Sequence, residues 1–250
     1  MTTPQPPSDA HPGLGPLAHG LIALAGMPED FSTVDDQLTL IARLAADRVA
    51  AVDYASVTAI REDAYTTVAA SSALAVAVDE AQYADQAGPC LEPLHTGAPA
   101  PVPDIGATMM WPGFRDQAVK IGLRASVSIP LYAGSGAPVA VLNLYSHDAT
   151  AMAPLTEAVW TVYKPGNAAG GEAVDLEPGA WELMAGLVKV VAIRATIQQA
   201  VGVIMARERV GALDAYLSLC ARAAETGSSL TARAAAVIQQ LSEPPNPPHT

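Results

Sequence analysis

An α+β fold followed by a separate all-helical unit is predicted from three patterns in the 250-residue chain. Short period-two runs of β-formers lie between residues 55 and 145. Apolar residues at helical spacing flank those runs. Beyond residue 180 only the helical period remains, with glycine and polar breaks at short intervals.

The elements follow in chain order. The Pro-rich ends, residues 1–16 and 242–250, read as disordered tails. Pro16 to Ala25 and then Thr33 to Val49 repeat at helical spacing (Val34, Leu38, Ile41, Ala42, Ala45, Val49), with Ser32 or Thr33 as N-cap and Asp35 and Asp36 in the first turn. Ala55–Ile60 and Tyr65–Ala70 around the charged turn Arg61-Glu62-Asp63 predict a hairpin. A helical piece spans Ala77 to Ala84, and Pro89 can sit at the first position of a short helix that Gly97 closes. A strand at Ala100–Val102 and a helix from Trp111 to Ile121, ended by Gly122, come next. The clearest hairpin joins Ala125–Tyr132 to Val139–Tyr145 through Ala133–Pro138. Residues 164–179 are Gly- and Ala-rich and mark a loop or insertion, which separates a first unit at 17–163 from a second at 180–241. The second unit holds a connecting helix from Trp181 to about Arg209, a helix from Leu213 to Ala224, a turn at Thr226–Ser229 and a helix from Leu230 to Leu241.

Composition narrows the function classes. Hydrophobic residues make up 50% and charged ones 15%, as in a globular protein, but aromatics are only 5%. A core of small Ala and Val side chains leaves little room for an aromatic-lined cofactor pocket, so no cofactor is expected. No segment pairs a basic stretch with an apolar one at the start, and no eighteen apolar residues run without charge, so a soluble cytoplasmic protein without a membrane partner is expected. Cys90 and Cys220 lie far apart, and His95 and His147 have no second ligand at metal-binding spacing, so neither a disulfide nor a metal site is predicted. Gly134-Ser135-Gly136 joins two antiparallel strands and is a hairpin turn rather than a phosphate loop. The net charge of −12 is unevenly spread: residues 1–180 hold seven basic and twenty acidic groups, whereas 181–241 hold six basic and four acidic. A polyanion would meet the second unit.

Candidate residues fall in three groups. Cys90 beside Pro89 is either a thiol tuned by a helix start or a small buried hydrophobe. Trp111 and Phe114, at spacing i, i+3, either line a ligand pocket or anchor a helix. Arg194, Arg207, Arg209, Arg222 and Arg233 are the guanidinium set available for phosphate contacts and base stacking. Along the connecting helix, Trp181, Met184, Val188, Val191 and Ala195 alternate at three and four, an apolar seam suited to a second copy of the same helix.

Two ordered series carry a family resemblance. Gln82-Tyr83, Gly88-Pro89-Cys90-Leu91, Asp104, Trp111-Pro112 with Phe114, Gly122 and Ser128-Ile129-Pro130-Leu131 resemble the landmarks of a GAF sensory domain. Residues 194–205, with Ala215, Leu219, Ala223-Ala224 and Leu230, are similar to an ANTAR RNA-binding domain, although Gln198 stands where that pattern has Gly, Val201 where it has Lys, and Gly227 and Ser229 where Asn and Lys are common. The resemblance implies a non-enzymatic, homodimeric regulator of transcription antitermination, in which the GAF domain senses an unidentified small molecule and the ANTAR domains bind hairpin loops in nascent RNA. The missing basic groups point to the alternative of a ligand-binding or protein-interaction module whose C-terminal unit no longer holds RNA.

Overall fold

The computed structural model describes residues 14–29, 31–164 and 175–242. Its centre is a five-stranded antiparallel sheet in the order β2-β1-β5-β4-β3. The strands are β1 (Tyr54–Arg61), β2 (Ala64–Ala70), β3 (Ala100–Val102), β4 (Ala125–Tyr132) and β5 (Pro138–Ser146). All three predicted strand pairs or single strands are present within a residue or two of their expected ends. The central pair β1 and β5 are distant in sequence, with Tyr54 opposite Tyr145, Ser56 opposite Asn143 and Thr58 opposite Val141.

Period-two alternation sorts each strand's side chains onto two faces. One face sends Ala55, Val57, Ala59, Val127, Ile129, Leu142 and Leu144 into the main core. That core is completed by α1 (Pro16–Gly26), α2 (Phe31–Arg48), α6 (Ala149–Tyr163) and the first half of α7 (Pro178–Glu208). The other face carries Ser56, Thr58, Ser126, Ser128, Asn143 and Tyr145, and it too is buried. It is covered by α3 (Ala73–Asp85) and α4 (Glu92–Thr96), with α5 (Pro112–Lys120) packed on α3. Ala75, Val78, Ile105, Phe114, Ala118, Leu123 and Tyr145 form a smaller apolar cluster there.

The second half of α7 builds a third core with α8 (Ala212–Thr226) and α9 (Leu230–Ser242), around Ile197, Ala200, Ile204, Ala215, Leu219, Leu230 and Val237. The fold is therefore α+β with a C-terminal helical region, as the sequence predicts. Ile193 is half-buried between the first and third cores, so one uninterrupted helix joins both units.

Several local expectations are corrected. α2 begins at Phe31, which places Ser32 and Thr33 inside its first turn rather than at its cap. α3 starts earlier than predicted, at Ala73, because the Ser72 side chain accepts the Leu74 N–H. The short helix after Cys90 starts at Glu92 with Pro93, not Pro89, in its first turn, and Gly97 closes it in the left-handed conformation at φ 65°. α6 was not predicted; Asp148 caps it by accepting the N–H groups of Thr150 and Ala151, and Pro154 lies within it. α7 begins at Pro178, two residues inside the expected loop 164–179, because Glu177 accepts the Gly179 and Ala180 N–H groups. Residues 165–174 of that loop and most of both expected tails lie outside the described residues.

The apolar seam of the connecting helix divides. Met184 is buried in the main core with Leu183 and Leu187, because α1 packs along that side of α7. Packing is close: a Cβ on Gly186 would come within 2.8 Å of Leu21 and 2.9 Å of Ala18. Trp181 is half-buried, whereas Val188 and Val191 are 45% and 39% exposed. By length and composition α7 is the one described helix able to cross a membrane.

Candidate functional site

The buried polar face of the sheet is the candidate site. Its residues form one row across the strands, with Ser56 of β1 opposite Asn143 of β5, Asn143 opposite Ser128 of β4, and Ser128 opposite Ala100 of β3. A parallel row runs Tyr54, Tyr145, Ser126 and Val102. A sheet face with this pattern is ordinarily wet; α3 and α4 bury it here, so every polar group needs a partner.

Most partners come from α3. Asp79 accepts hydrogen bonds from the Tyr145 hydroxyl at 2.6 Å and from Thr67 at 2.9 Å. Burial pushes its carboxyl up to about 6, against the opposing effect of hydrogen bonds from Tyr145, Ser56 and Thr67. The Tyr83 hydroxyl lies 2.9 Å from that of Thr58 and 2.8 Å from that of Thr67, and burial raises its pKa. Gln82 accepts the Cys90 N–H at 2.9 Å and thereby ties α3 to the loop before α4. Asn143 donates to Ser56 at 3.2 Å and to Thr58 at 2.9 Å. Three buried atoms on the β4 and β5 strands have no hydrogen-bond partner: Oδ1 of Asn143 and the Oγ atoms of Ser126 and Ser128.

The predicted pocket residues are partly brought together here. Cys90 is fully buried beside this network, and burial, reinforced by Asp79, holds its thiol well above the usual range. A thiol so placed behaves as a small buried group rather than a reactive one. Phe114 is buried in the small cluster that includes Tyr145, and Trp111 packs at its edge, so both anchor α5 against the layer that covers the site. His95 and His147 lie outside this network, beside Tyr65 and Tyr54 respectively.

The arginines are dispersed. Arg194 stacks on Tyr132 at 4.3 Å and donates to the Gly136 carbonyl at 2.8 Å, so it faces the β4–β5 turn. Gln198 donates to the Ser135 carbonyl of the same turn. The turn can approach α7 and α8 this closely because Gly136 and Gly134 carry no side chain: a Cβ on Gly136 would collide with Gln198 of α7, and one on Gly134 with Tyr216 of α8. Gly136, at φ 86°, also occupies the region that favours glycine. Arg222 pairs with Glu208, Arg207 donates to the Gln240 carbonyl, and Arg233 is half-buried. Arg209 is exposed and ends α7 at φ 56°. Val201 is buried in the third core, so the position where the ANTAR pattern has Lys faces inward here.

Sequence reasoning missed Asp79, Thr58, Thr67, Asn143 and the two serines. Their signal was present in the alternation of Ser126-Val127-Ser128-Ile129, which reads as polar-out until a covering layer is known.

No curated protein matches the chain. Among solved structures, the GAF domain region of a protein from Geobacter sulfurreducens PCA is similar, at 16% identity and a TM-score of 0.35, covering 65% of this chain and 92% of that one. The family model described as the GAF domain matches residues 31–160, from the start of α2 through α6 and thus all five strands and the polar face, and the chain belongs to the GAF domain family.

Proposed function

We propose that the chain is a cytoplasmic, non-enzymatic regulator in which a small molecule bound at the polar face controls a C-terminal RNA-binding unit acting in transcription antitermination as a homodimer. The observation that carries the sensing half is the pairing of two features on the same two strands. Three buried unpartnered polar atoms sit on β4 and β5, and the turn that joins those strands holds α7 through Arg194 and Gln198. Ligand contacts on the strands therefore bear on the helix that enters the output unit, which is what a sensor with two states requires.

The RNA half is supported by the basic excess of residues 181–241, the resemblance of residues 194–205 and the exposure of Arg207 and Arg209 at the end of α7. The test is titration of a two-hairpin RNA at several salt concentrations with the wild type and an Arg207→Ala, Arg209→Gly double variant, the glycine chosen to keep the left-handed cap. The expected outcome is a loss of about 1–3 kcal/mol in affinity and a salt slope smaller by about one to two units. The second reading, an interaction module without RNA binding, is favoured by the intramolecular engagement of Arg194, Arg207 and Arg222. Absence of binding at low salt by any form would establish it over the first.

A further inference from the structure

We infer that the polar face takes an uncharged cyclic amide edge, such as the N–H and C=O edge of a lactam or nucleobase ring, and excludes phosphate-bearing ligands. The inference rests on the proposed sensing role of this site and names its ligand chemistry.

Three observations define the edge. Both Nδ2 hydrogens of Asn143 are used on Ser56 and Thr58, which fixes the amide plane and leaves Oδ1 as an acceptor with no donor. Ser128, directly opposite Asn143, and Ser126, opposite Tyr145, each carry an unpartnered hydroxyl, and all three side chains are at most 1% exposed. A ligand N–H meets Asn143, and a ligand carbonyl accepts from a serine hydroxyl. Facing positions on paired strands are about 4.5–5.5 Å apart, and same-face positions along a strand about 6.7 Å, a triangle that one ring with its polar substituents can span.

Charge sets the exclusion. Burial is the leading cause that raises Asp79, Tyr83, Cys90 and Tyr145, and the charge that next bears on the last three is the Asp79 carboxylate. Arg61 and Arg115 pair with Asp35 and Asp116 away from this face. A phosphate brought here would lose its hydration beside a buried carboxyl, and among the described residues no arginine or lysine is hydrogen-bonded to Asn143, Ser126 or Ser128.

The two serines also give a signature that a purely structural role would not. A buried hydroxyl without a partner costs stability, so its removal leaves the unliganded protein as stable or more so while ligand affinity falls. The experiment uses the full chain, with binding read by ligand-observed NMR and melting followed by circular dichroism. The probes are uracil, hypoxanthine and 2-pyrrolidone, set against uridine and inosine monophosphates. The expected result is binding of the uncharged rings, weakened about tenfold in Ser128→Ala and further in the Ser126→Ala, Ser128→Ala double variant, with both variants melting at or above the wild-type temperature. Monophosphates that bind as well as or better than the free rings would overturn the ligand class while leaving a small-molecule site in place. Ring binding unchanged in both variants would overturn the assignment to this face. Binding of no probe at millimolar concentration would overturn the ligand class.

Discussion

Replacing Asp79 by Asn tests the energetic account of the polar face. The carboxyl is 0% exposed and its pKa is pushed from 3.8 to about 6, chiefly by burial. The folded protein therefore holds this proton more tightly than the unfolded chain does. Below the unfolded value Asp79 is protonated in both states and its titration contributes nothing to stability. As pH rises to about 6 a penalty develops, and above that it stays constant. A separation of about two pH units corresponds to about 3 kcal/mol at neutral pH. In Asp79→Asn the amide is uncharged at every pH, and the Tyr145 and Thr67 hydroxyls can rotate to meet it. Urea denaturation of both proteins between about pH 4 and pH 7 isolates this one group, because the other carboxylates titrate equally in each. The stability of the variant relative to wild type should climb by up to about 3 kcal/mol across that window. A difference that stays flat, or that falls with rising pH, would refute the assignment of a desolvated carboxyl to this position.

Glu182 accepts the buried Leu17 N–H at 2.5 Å and pairs with Arg48 at 2.7 Å, so Glu182→Ala should cost about 1.5–3 kcal/mol in chemical denaturation and loosen α1 in hydrogen exchange. Met184 and Val188 should behave differently. Met184→Glu buries a charge in the main core and should unfold the sensory unit, whereas Val188→Glu should keep native circular dichroism and shift a dimer toward monomer in sedimentation. Cys90, with its thiol held well above the usual range, should resist a thiol reagent in the native protein and react fully only after unfolding, while the half-buried Cys220 reacts first.

Legibility followed how local each signal was. The Ala125–Tyr145 hairpin was readable because alternation and a Gly-rich turn specify it without reference to the rest of the chain. Helix ends were less readable at Ser32 and Pro89, where more than one neighbouring residue could begin the helix. α6 escaped because Pro154 breaks the expected pattern, although Asp148 supplies an ordinary cap. The candidate site was the least legible part. Serines alternating with valine and isoleucine on β4 have the same pattern whether water or a helical layer covers them, and only the fold brings Asp79 and Tyr83 onto the neighbouring Thr58, Thr67 and Tyr145 of the same face. Met184 shows the same limit from the other side: its spacing fits a seam, but the position of α1 decides that the seam is used within the chain.

The continuity of α7 makes it a lever. Val190 is the last of its side chains buried in the main core, and the contact of Arg194 with the β4–β5 turn lies one turn beyond it. At 1.5 Å per residue that contact is about 6 Å from the fulcrum, and Glu208 is about 27 Å from it. The mechanical advantage is therefore between four and five, so a shift of about 0.5 Å in the turn displaces the far end of the helix by about 2 Å. On the proposed sensing role, a movement too small to disturb the strands that make it would reach, enlarged, the helices packed on the far half of α7.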